Sequence, residues 1–175
     1  MRGLSLLLLA GLASAAVGAA GPSPPSPGAE RLRQWRRDEE LIRELVEKGI
    51  QLSREEDPLG RAGQCRGLAD LLLREIRRAA AAGDGDRVHV LGGQLQAVLE
   101  TGVAANLRSA RAGIAPGSKR ERIFREFGRQ VRRLEKELGS APSPRPEDLR
   151  SALEAVRKGR AEVEKAIRSL NPAEK

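Results

Sequence analysis

"DPLGRAGQCRG", residues 57–67, contains a helix-breaking pair, three glycines and the only cysteine of the chain. The residue before a proline is pushed out of the helical region, so a preceding helix should end at Asp57. The same pair can begin a new helix, because Asp57 can cap free backbone amides and Pro58 fits the first helical position. We therefore predict a junction between two helices here, with the second helix over 58–82.

A phosphate-binding loop is the alternative for this stretch. Such a loop follows a strand and ends in Lys followed by Ser or Thr. Here the preceding segment has helical spacing, and the stretch ends in Gly67-Leu68. At about 100° per residue, Gly60, Gly63 and Gly67 share one side of the predicted helix. They either face water or admit another backbone, and a compositional bias toward Gly, Ala and Arg is the other explanation for them.

Apolar residues of the second predicted helix recur on the side away from these glycines. They are Ala62, Cys65, Ala69, Leu72, Leu73, Ile76 and Ala80. Because Cys65 lies in the middle of this stripe, we expect its thiol to behave as a small core hydrophobe. An intermolecular disulfide and a catalytic thiol beside Arg66 are the alternatives.

Four further segments show helical apolar spacing, and none alternates with the period of two expected of a half-buried strand. The segments are 29–56, 86–111, 118–138 and 147–171. The first stripe comprises Leu32, Trp35, Ile42, Leu45, Val46, Gly49 and Leu52; the third comprises Val88, Leu91, Leu95, Val98, Leu99, Gly102 and Val103. Short connections favour antiparallel neighbours, so the prediction is an all-α fold, an antiparallel helical bundle of about five helices with these stripes buried.

The last two segments carry apolar residues in the 3,4 alternation of a coiled coil. The stripes are Phe124, Phe127, Val131, Leu134 and Leu138, then Leu149, Leu153, Val156, Val163, Ile167 and Leu170, with Arg160 in register. We predict a coiled-coil-like hairpin, 118–171, packed on or following a three-helix bundle, 29–111. If Leu138 faces Leu149, then Arg160 faces Phe127, and its guanidinium lies over the ring or extends to water.

The first twenty residues have the pattern of a cleaved secretory signal peptide. Arg2 precedes an apolar run from Leu4 to Val17, and small residues suited to cleavage follow near Ala20. The run is shorter than the about 20 apolar residues of a membrane span, and an uncleaved anchor is the alternative. Residues 21–28, GPSPPSPG, are predicted to form a tether. We expect an exported protein, periplasmic or secreted, without an internal disulfide.

Side chains suited to catalysis or metal binding are few and poorly spaced. His89 is the only histidine, so imidazoles cannot cluster with metal-ligand spacing. Consecutive acidic residues at 38–40 and 55–57 point in different directions on a helix, and we expect them to be solvated or to cap helix ends. Ser118 and Glu121 match a capping box. The prediction is a protein that is not an enzyme, with no cofactor and no metal.

Positive charge is concentrated in the fourth helical segment. The chain has a net charge of +8, and residues 118–138 contain eight basic and four acidic side chains. The non-core side of this segment presents a candidate anion-binding face: Arg122, Arg125, Arg129, Arg132 and Arg133. An acidic envelope polymer or lipid headgroups would release counterions on binding there, whereas nucleic acid is not expected for an exported protein. A solvated face with ion pairs such as Glu121–Arg125 is the alternative.

These patterns favour a non-catalytic, exported helical protein that binds an unidentified protein partner. The role we expect is that of a protein-interaction or scaffold module of the cell envelope. The alternative from another class is an anion-binding protein that uses the arginine face of residues 119–138. Fold class alone does not decide between them.

Overall fold

The described part of the chain, residues 27–115 and 117–169 of a computed structural model, is helical and contains no strand. This confirms the predicted all-α fold and helical bundle. The predicted signal peptide, residues 21–26 of the tether and Leu170 lie outside the described residues. The α-helices are α1 (Pro27–Arg54), α2 (Pro58–Ala81), α3 (Gly85–Ala97), α4 (Ala105–Ala110), α5 (Lys119–Gly139) and α6 (Asp148–Arg168).

Helix starts follow the predicted capping chemistry, with two differences. The Asp57 carboxylate accepts a hydrogen bond from the Gly60 amide at 3.3 Å, and Pro58 is the first residue of α2. Ser118 likewise accepts from the Glu121 amide at 3.1 Å, but the Glu121 carboxylate accepts from Gly117 at 2.6 Å instead of from Ser118. The second difference is that α1 already begins at Pro27, so the last two residues of the predicted tether are helical.

The hydrophobic core is formed by α2, α3, α4, α5 and α6. All seven residues predicted for the apolar stripe of α2 are buried, and so are the five predicted for α5. The largest fully buried side chains include Ile76, Leu95, Leu99, Leu107, Phe124, Leu138 and Val156. Burial of these side chains removes apolar surface from water and is the main stabilising contribution to such a bundle.

The third predicted helix, 86–111, is interrupted by a π-helix. Residues Val98–Ala104 form this π-helix between α3 and α4, and a short 3₁₀ turn, Arg111–Gly113, follows α4. A π-helix is wider than an α-helix and disturbs the regular backbone bonding. The Asn106 side chain donates to the Gly102 carbonyl at 2.7 Å, and the Thr101 hydroxyl donates to the Ala97 carbonyl at 2.7 Å. Two side chains therefore donate hydrogen bonds to backbone carbonyl groups in and beside the π-helix.

Glycines let neighbouring helices approach closely at three places in the core. A Cβ on Gly92 of α3 would lie 3.0 Å from the Cα of Ala152 in α6. A Cβ on Gly159 of α6 would lie 2.7 Å from the Cβ of Leu99, and one on Gly102 would lie 2.9 Å from the Sγ of Cys65. The second and third contacts both involve the π-helix. Any larger residue at these three glycines would force the helices apart.

The contacts between α5 and α6 differ from the predicted register. Arg132 pairs with Glu164 at 3.1 Å, and Glu135 pairs with Arg157 at 2.9 Å and with Arg160 at 2.7 Å. Arg160 is therefore bound to a carboxylate and is not opposite Phe127. The predicted pairing is displaced by about one heptad, because a slip of seven residues restores the same apolar pattern.

The chain divides into two units, and the division lies inside α1. The first unit is Met1–Glu39, and the second, Glu40–Lys175, contains the remainder of α1 together with α2 to α6. Helices α5 and α6 share the core of the second unit with α2 and α3.

Candidate interaction surfaces

Helix α1 carries two apolar rows in the second unit. Leu45 and Leu52 are half-buried, and Leu52 packs against the core. The other row comprises Ile42, Val46 and Ile50, whose exposed fractions are 60%, 57% and 46%. The prediction that one stripe of α1 is buried is therefore wrong for Ile42 and Val46. Together with Ile50, which was not part of that stripe, they are here called the outward row. Apolar spacing shows which side of a helix is apolar but not whether another element covers it.

The first unit also exposes apolar side chains on its part of α1. Leu32 is 51% exposed and Trp35 is 61% exposed. Both were predicted to be buried in the same stripe. Arg36 and Glu39 are exposed near them. Large exposed apolar side chains that cluster commonly mark sites of protein or membrane interaction.

The five arginines predicted to bind anions lie on the exposed side of α5, and four of them pair with carboxylates. Arg125 binds Glu121 at 2.7 Å, and Arg129 binds Glu126. The remaining pairs are Arg132 with Glu164 and Arg133 with Glu137. Arg122 is exposed and has no ion pair among the described residues. Most of this arginine face is therefore ion-paired, which is what a solvated helix surface, the alternative to an anion-binding face, would show.

The α5–α6 depression is the part of this arginine face that forms a concave surface. It has a volume of about 430 Å³ and is lined by Arg125, Gly128, Arg129, Arg132, Glu164, Ile167 and Arg168. Four of the seven lining residues are arginines and one is acidic. Arg168 was not predicted, because the predicted register places the end of the last helix beside residue 119 and not beside Arg125 and Arg129. A polyvalent anion could replace the partners of these exposed ion pairs at little cost, since such pairs contribute only about 0–1 kcal/mol each.

Arg133 is separated from the other predicted arginines. It lines a second groove of about 410 Å³ between α5, α2 and the second-unit part of α1. This groove also contains Asp70, Arg74, Arg77 and Glu44, and Arg74 pairs with Glu44 at 2.7 Å. Five basic and three acidic side chains line this groove, so its excess of positive charge is smaller than that of the α5–α6 depression, where four arginines accompany one glutamate.

Hydrogen bonds at the surface shift the pKa values of three charged side chains, Glu121, Asp57 and Arg133. The Arg125 guanidinium and the Gly117 amide both lower the pKa of Glu121. The Arg120 guanidinium, bound at 2.6 Å, lowers the pKa of Asp57 in the same way. The bond to Glu137 raises the pKa of Arg133. Each of these shifts favours the charged form of the side chain concerned, Glu121, Asp57 or Arg133.

The glycine-rich stretch at 57–67 is an ordinary part of α2. The Glu55 carboxylate accepts from the Asp57 amide at 3.1 Å and lies over the first turn, where a Cβ on Gly60 would collide with it. Gly63 and Gly67 have no neighbouring heavy atom within 4 Å of an ideal Cβ. Asp57 therefore has the predicted capping role, and Glu56 is exposed, in line with the solvated alternative. Of the three glycines, only Gly60 has a neighbouring group in the space of a Cβ, and that group is the end of the flexible Glu55 side chain.

Cys65 is buried, as predicted for a core thiol. Burial raises the pKa of the thiol, and the charge of Arg61 opposes this only in part. We expect a thiol reagent such as Ellman's reagent to label the native protein at least about 100-fold more slowly than the unfolded chain, because labelling requires opening of the core. The measurement is the rate of labelling with and without denaturant. Equal rates would contradict the buried position.

Other candidate chemical groups lie apart from one another. His89 is exposed on α3. Within residues 27–115 and 117–169 there is no group of three or more His, Cys, Asp or Glu side chains that could hold a metal ion. None of the helices described there combines the length and the apolarity needed to cross a membrane.

Comparisons with known proteins identify no relative of this chain. No protein-family model, no curated protein and no solved structure matches the chain.

Proposed function

We propose that the chain is an exported, non-catalytic protein-interaction module of the cell envelope that binds its partner through α1. The observation that supports this proposal is the outward row, Ile42, Val46 and Ile50, which is exposed on a helix whose other apolar row faces the core. Amphipathic helices bind partners through side chains spaced three or four residues apart, and the outward row has a spacing of four. The role proposed for the module is that of a scaffold or accessory component.

The charges beside the outward row indicate the chemistry of the partner. Glu40, Arg43 and Glu47 are exposed on the second-unit part of α1. At about 100° per residue, all three lie along one border of the row. This border has a net negative charge, so we propose a partner surface that is apolar in the middle and basic at its edge. Complementary charge at such an edge mainly sets specificity and the rate of association.

A photo-crosslinking amino acid at Val46 tests this function in the expressing cells. Lys158, an exposed position of α6, is the matched control. We expect a crosslinked product of defined mass from position 46 and none from position 158. The Ile42→Asp variant should remove that product. Equal products from both positions, or none from position 46, would overturn the proposal.

Export is a separate part of the proposal and rests on the signal peptide predicted at residues 1–20. The expected result is that protein recovered from the envelope or medium begins near residue 20 or 21, as read by N-terminal sequencing. Recovery of the chain only from the cytosol with Met1 or Arg2 at its start would overturn it. An uncleaved chain in the membrane fraction would indicate the anchored alternative.

Anion binding is a second candidate, favoured by the α5–α6 depression. A suitable probe is long-chain polyphosphate, with anionic phospholipid vesicles and single-stranded DNA as comparisons. Binding should weaken steeply as salt rises from about 50 to about 200 mM, because counterions are released. The R129A/R168A variant should bind at least about tenfold more weakly, since it loses two phosphate contacts. The R150A/K158A variant removes the same charge from exposed positions of α6 outside the depression, and an equal loss there would overturn a localised site.

A further inference from the structure

Glu164 is the acidic residue that lines the α5–α6 depression, and it lies between two arginines. Its Oε1 atom accepts a hydrogen bond from Nη1 of Arg132, which also lines the depression, at 3.1 Å. The same oxygen lies 3.8 Å from Nε of Arg160, a residue outside the lining. That second distance is too long for a hydrogen bond. One carboxylate oxygen therefore lies beside two guanidinium groups and is bonded to only one of them.

Arg160 has an unused hydrogen-bond donor in this arrangement. Its Nη1 atom binds Glu135 at 2.7 Å, which holds the guanidinium group from one side. Its Nε atom is buried and has no hydrogen-bond partner within the part of the chain that the structure describes. A buried donor without an acceptor is unfavourable, and more so when it belongs to a charged group. The Nε of Arg160 is thus available to an acceptor, and the Glu164 carboxylate lies beside it.

We propose that Glu164 exchanges partners when the depression binds a phosphate group: it leaves Arg132 to the ligand and moves onto the Nε of Arg160. A movement of about 1 Å is enough to bring the second contact to hydrogen-bond length. The displaced carboxylate keeps a cationic partner, and the unpaired Nε gains an acceptor. The new bond offsets the loss of the Arg132–Glu164 pair. This inference rests on the second function proposed above, anion binding, and describes how that site is controlled.

An internal carboxylate also selects among ligands. The fold holds Glu164 beside Arg132, so the effective concentration of this carboxylate at the arginine is high. A single anionic group from solution gains no more from Arg132 than Glu164 does, and it does not displace Glu164. A chain of phosphate groups that also contacts Arg129 and Arg168 is held by several arginine forks at once, and it then competes with the same advantage. We therefore expect the site to take polyvalent phosphates and to reject single inorganic phosphate.

Isothermal titration calorimetry with long-chain polyphosphate tests the exchange, at about 50 mM salt so that phosphate contacts are strong. The Glu164→Gln variant keeps the size of the side chain and removes its charge. It should bind polyphosphate about fivefold more tightly or better, because the competing carboxylate is gone. The matched control Glu162→Gln removes the same charge from α6 outside the depression, where Glu162 pairs with Arg108 at 3.3 Å. This control should change the affinity by less than about twofold, because salt screens its charge.

Arg160 is the second position to test, because it acts on the ligand through Glu164. The Arg160→Met variant should bind polyphosphate about threefold more weakly or worse, since the displaced carboxylate then has no new partner. In the Glu164→Gln background the same substitution should have little effect. Loss of one positive charge without any exchange would instead weaken binding equally in both backgrounds. Circular dichroism checks the fold of Arg160→Met, in which Glu135 keeps its bond to Arg157 at 2.9 Å.

The possible failures of this inference and of anion binding are distinguishable. Absence of polyphosphate binding in both the unaltered protein and the Glu164→Gln variant overturns the anion-binding function and the exchange together. Equal binding by these two proteins, or an equal gain in Glu162→Gln, overturns the exchange and leaves the anion site intact. The same conclusion follows if Arg160→Met causes the same loss in both backgrounds. Binding by the Glu164→Gln variant alone would support the inference, because it would show that Glu164 blocks the site.

Discussion

Replacing Gly159 with valine should strongly lower the stability of the protein. The Cβ alone would lie 2.7 Å from the Cβ of Leu99, an atom attached to the backbone of the π-helix, and 2.9 Å from its Cδ1. Neither the side chain nor the helix can move away without opening the core between α6 and the π-helix. We expect a loss of at least about 3 kcal/mol in the free energy of unfolding, at the upper end of overpacking effects. Urea unfolding followed by circular dichroism measures it.

The matched control for this prediction is Gly63→Val. Gly63 is also helical, but it is exposed and has no heavy atom within 4 Å of an ideal Cβ. Valine has a somewhat better helix propensity than glycine, so this variant should be neutral or more stable by a few tenths of a kcal/mol. A partial rescue is also expected: in the Gly159→Val background, Leu99→Ala should cost less than it does alone, because the two side chains compete for one space. Equal stabilities of the two valine variants would contradict the close approach of α6.

Removing both arginines beside Glu75 should also cause a large loss in the free energy of unfolding. Glu75 is the buried charged residue of the described core, with an exposed fraction of 5%. Its carboxylate binds Arg78 at 2.7 Å and lies 3.8 Å from Arg87. In the R78M/R87M variant this charge would remain buried without a cation, and breaking a buried pair costs about 3–5 kcal/mol. We expect a loss in that range, measured by thermal and denaturant unfolding.

Adding Glu75→Met to that variant should recover most of the stability. Replacement of a buried ion pair by apolar residues of similar size is often neutral or stabilising, because the cost of desolvating the charges disappears. The triple variant should therefore be close to the original protein, whereas R78M alone should have a small effect because Arg78 is largely exposed. If R78M/R87M unfolded no more easily than R78M, the two arginines would not be compensating the charge of Glu75.

The apolar stripes of α2 and α5 were predicted correctly because both helices bury one side against several neighbours. In that situation, spacing alone identifies the core residues. Glu75 was missed, although a signal was present: it falls between Leu72 and Ala79 on the apolar side of α2, with Arg78 one turn later. A carboxylate within an apolar stripe is expected to have cationic partners. The identity of Arg87 as the second cation required the three-dimensional arrangement.

Three other features of the structure could not be predicted from the spacing of apolar residues in the sequence. The α5–α6 register is ambiguous in a sequence with a seven-residue repeat, and the ion pairs of Glu135 and Arg132 distinguish the two alternatives only in the folded protein. The π-helix, Val98–Ala104, was not predicted, because its apolar residues have the same helical spacing as those of the flanking helices. The exposure of Ile42 and Val46 depends on what lies beside α1. Of the candidate surfaces, the sequence identified the arginines of α5 but not the depression that they line.

The contact between Cys65 and the π-helix has a consequence for oxidative damage. The sulfur lies close enough to Gly102 that a single carbon at that glycine would be only 2.9 Å away. Conversion of the thiol to a sulfenic or sulfinic acid adds oxygen atoms to the same sulfur. The space between this sulfur and Gly102 is too narrow for an added oxygen. Peroxide should therefore reach this residue only in opened molecules and would then trap them in that state. In an oxidising compartment, damage at this position would be seen as a loss of folded protein and not as a modified native form.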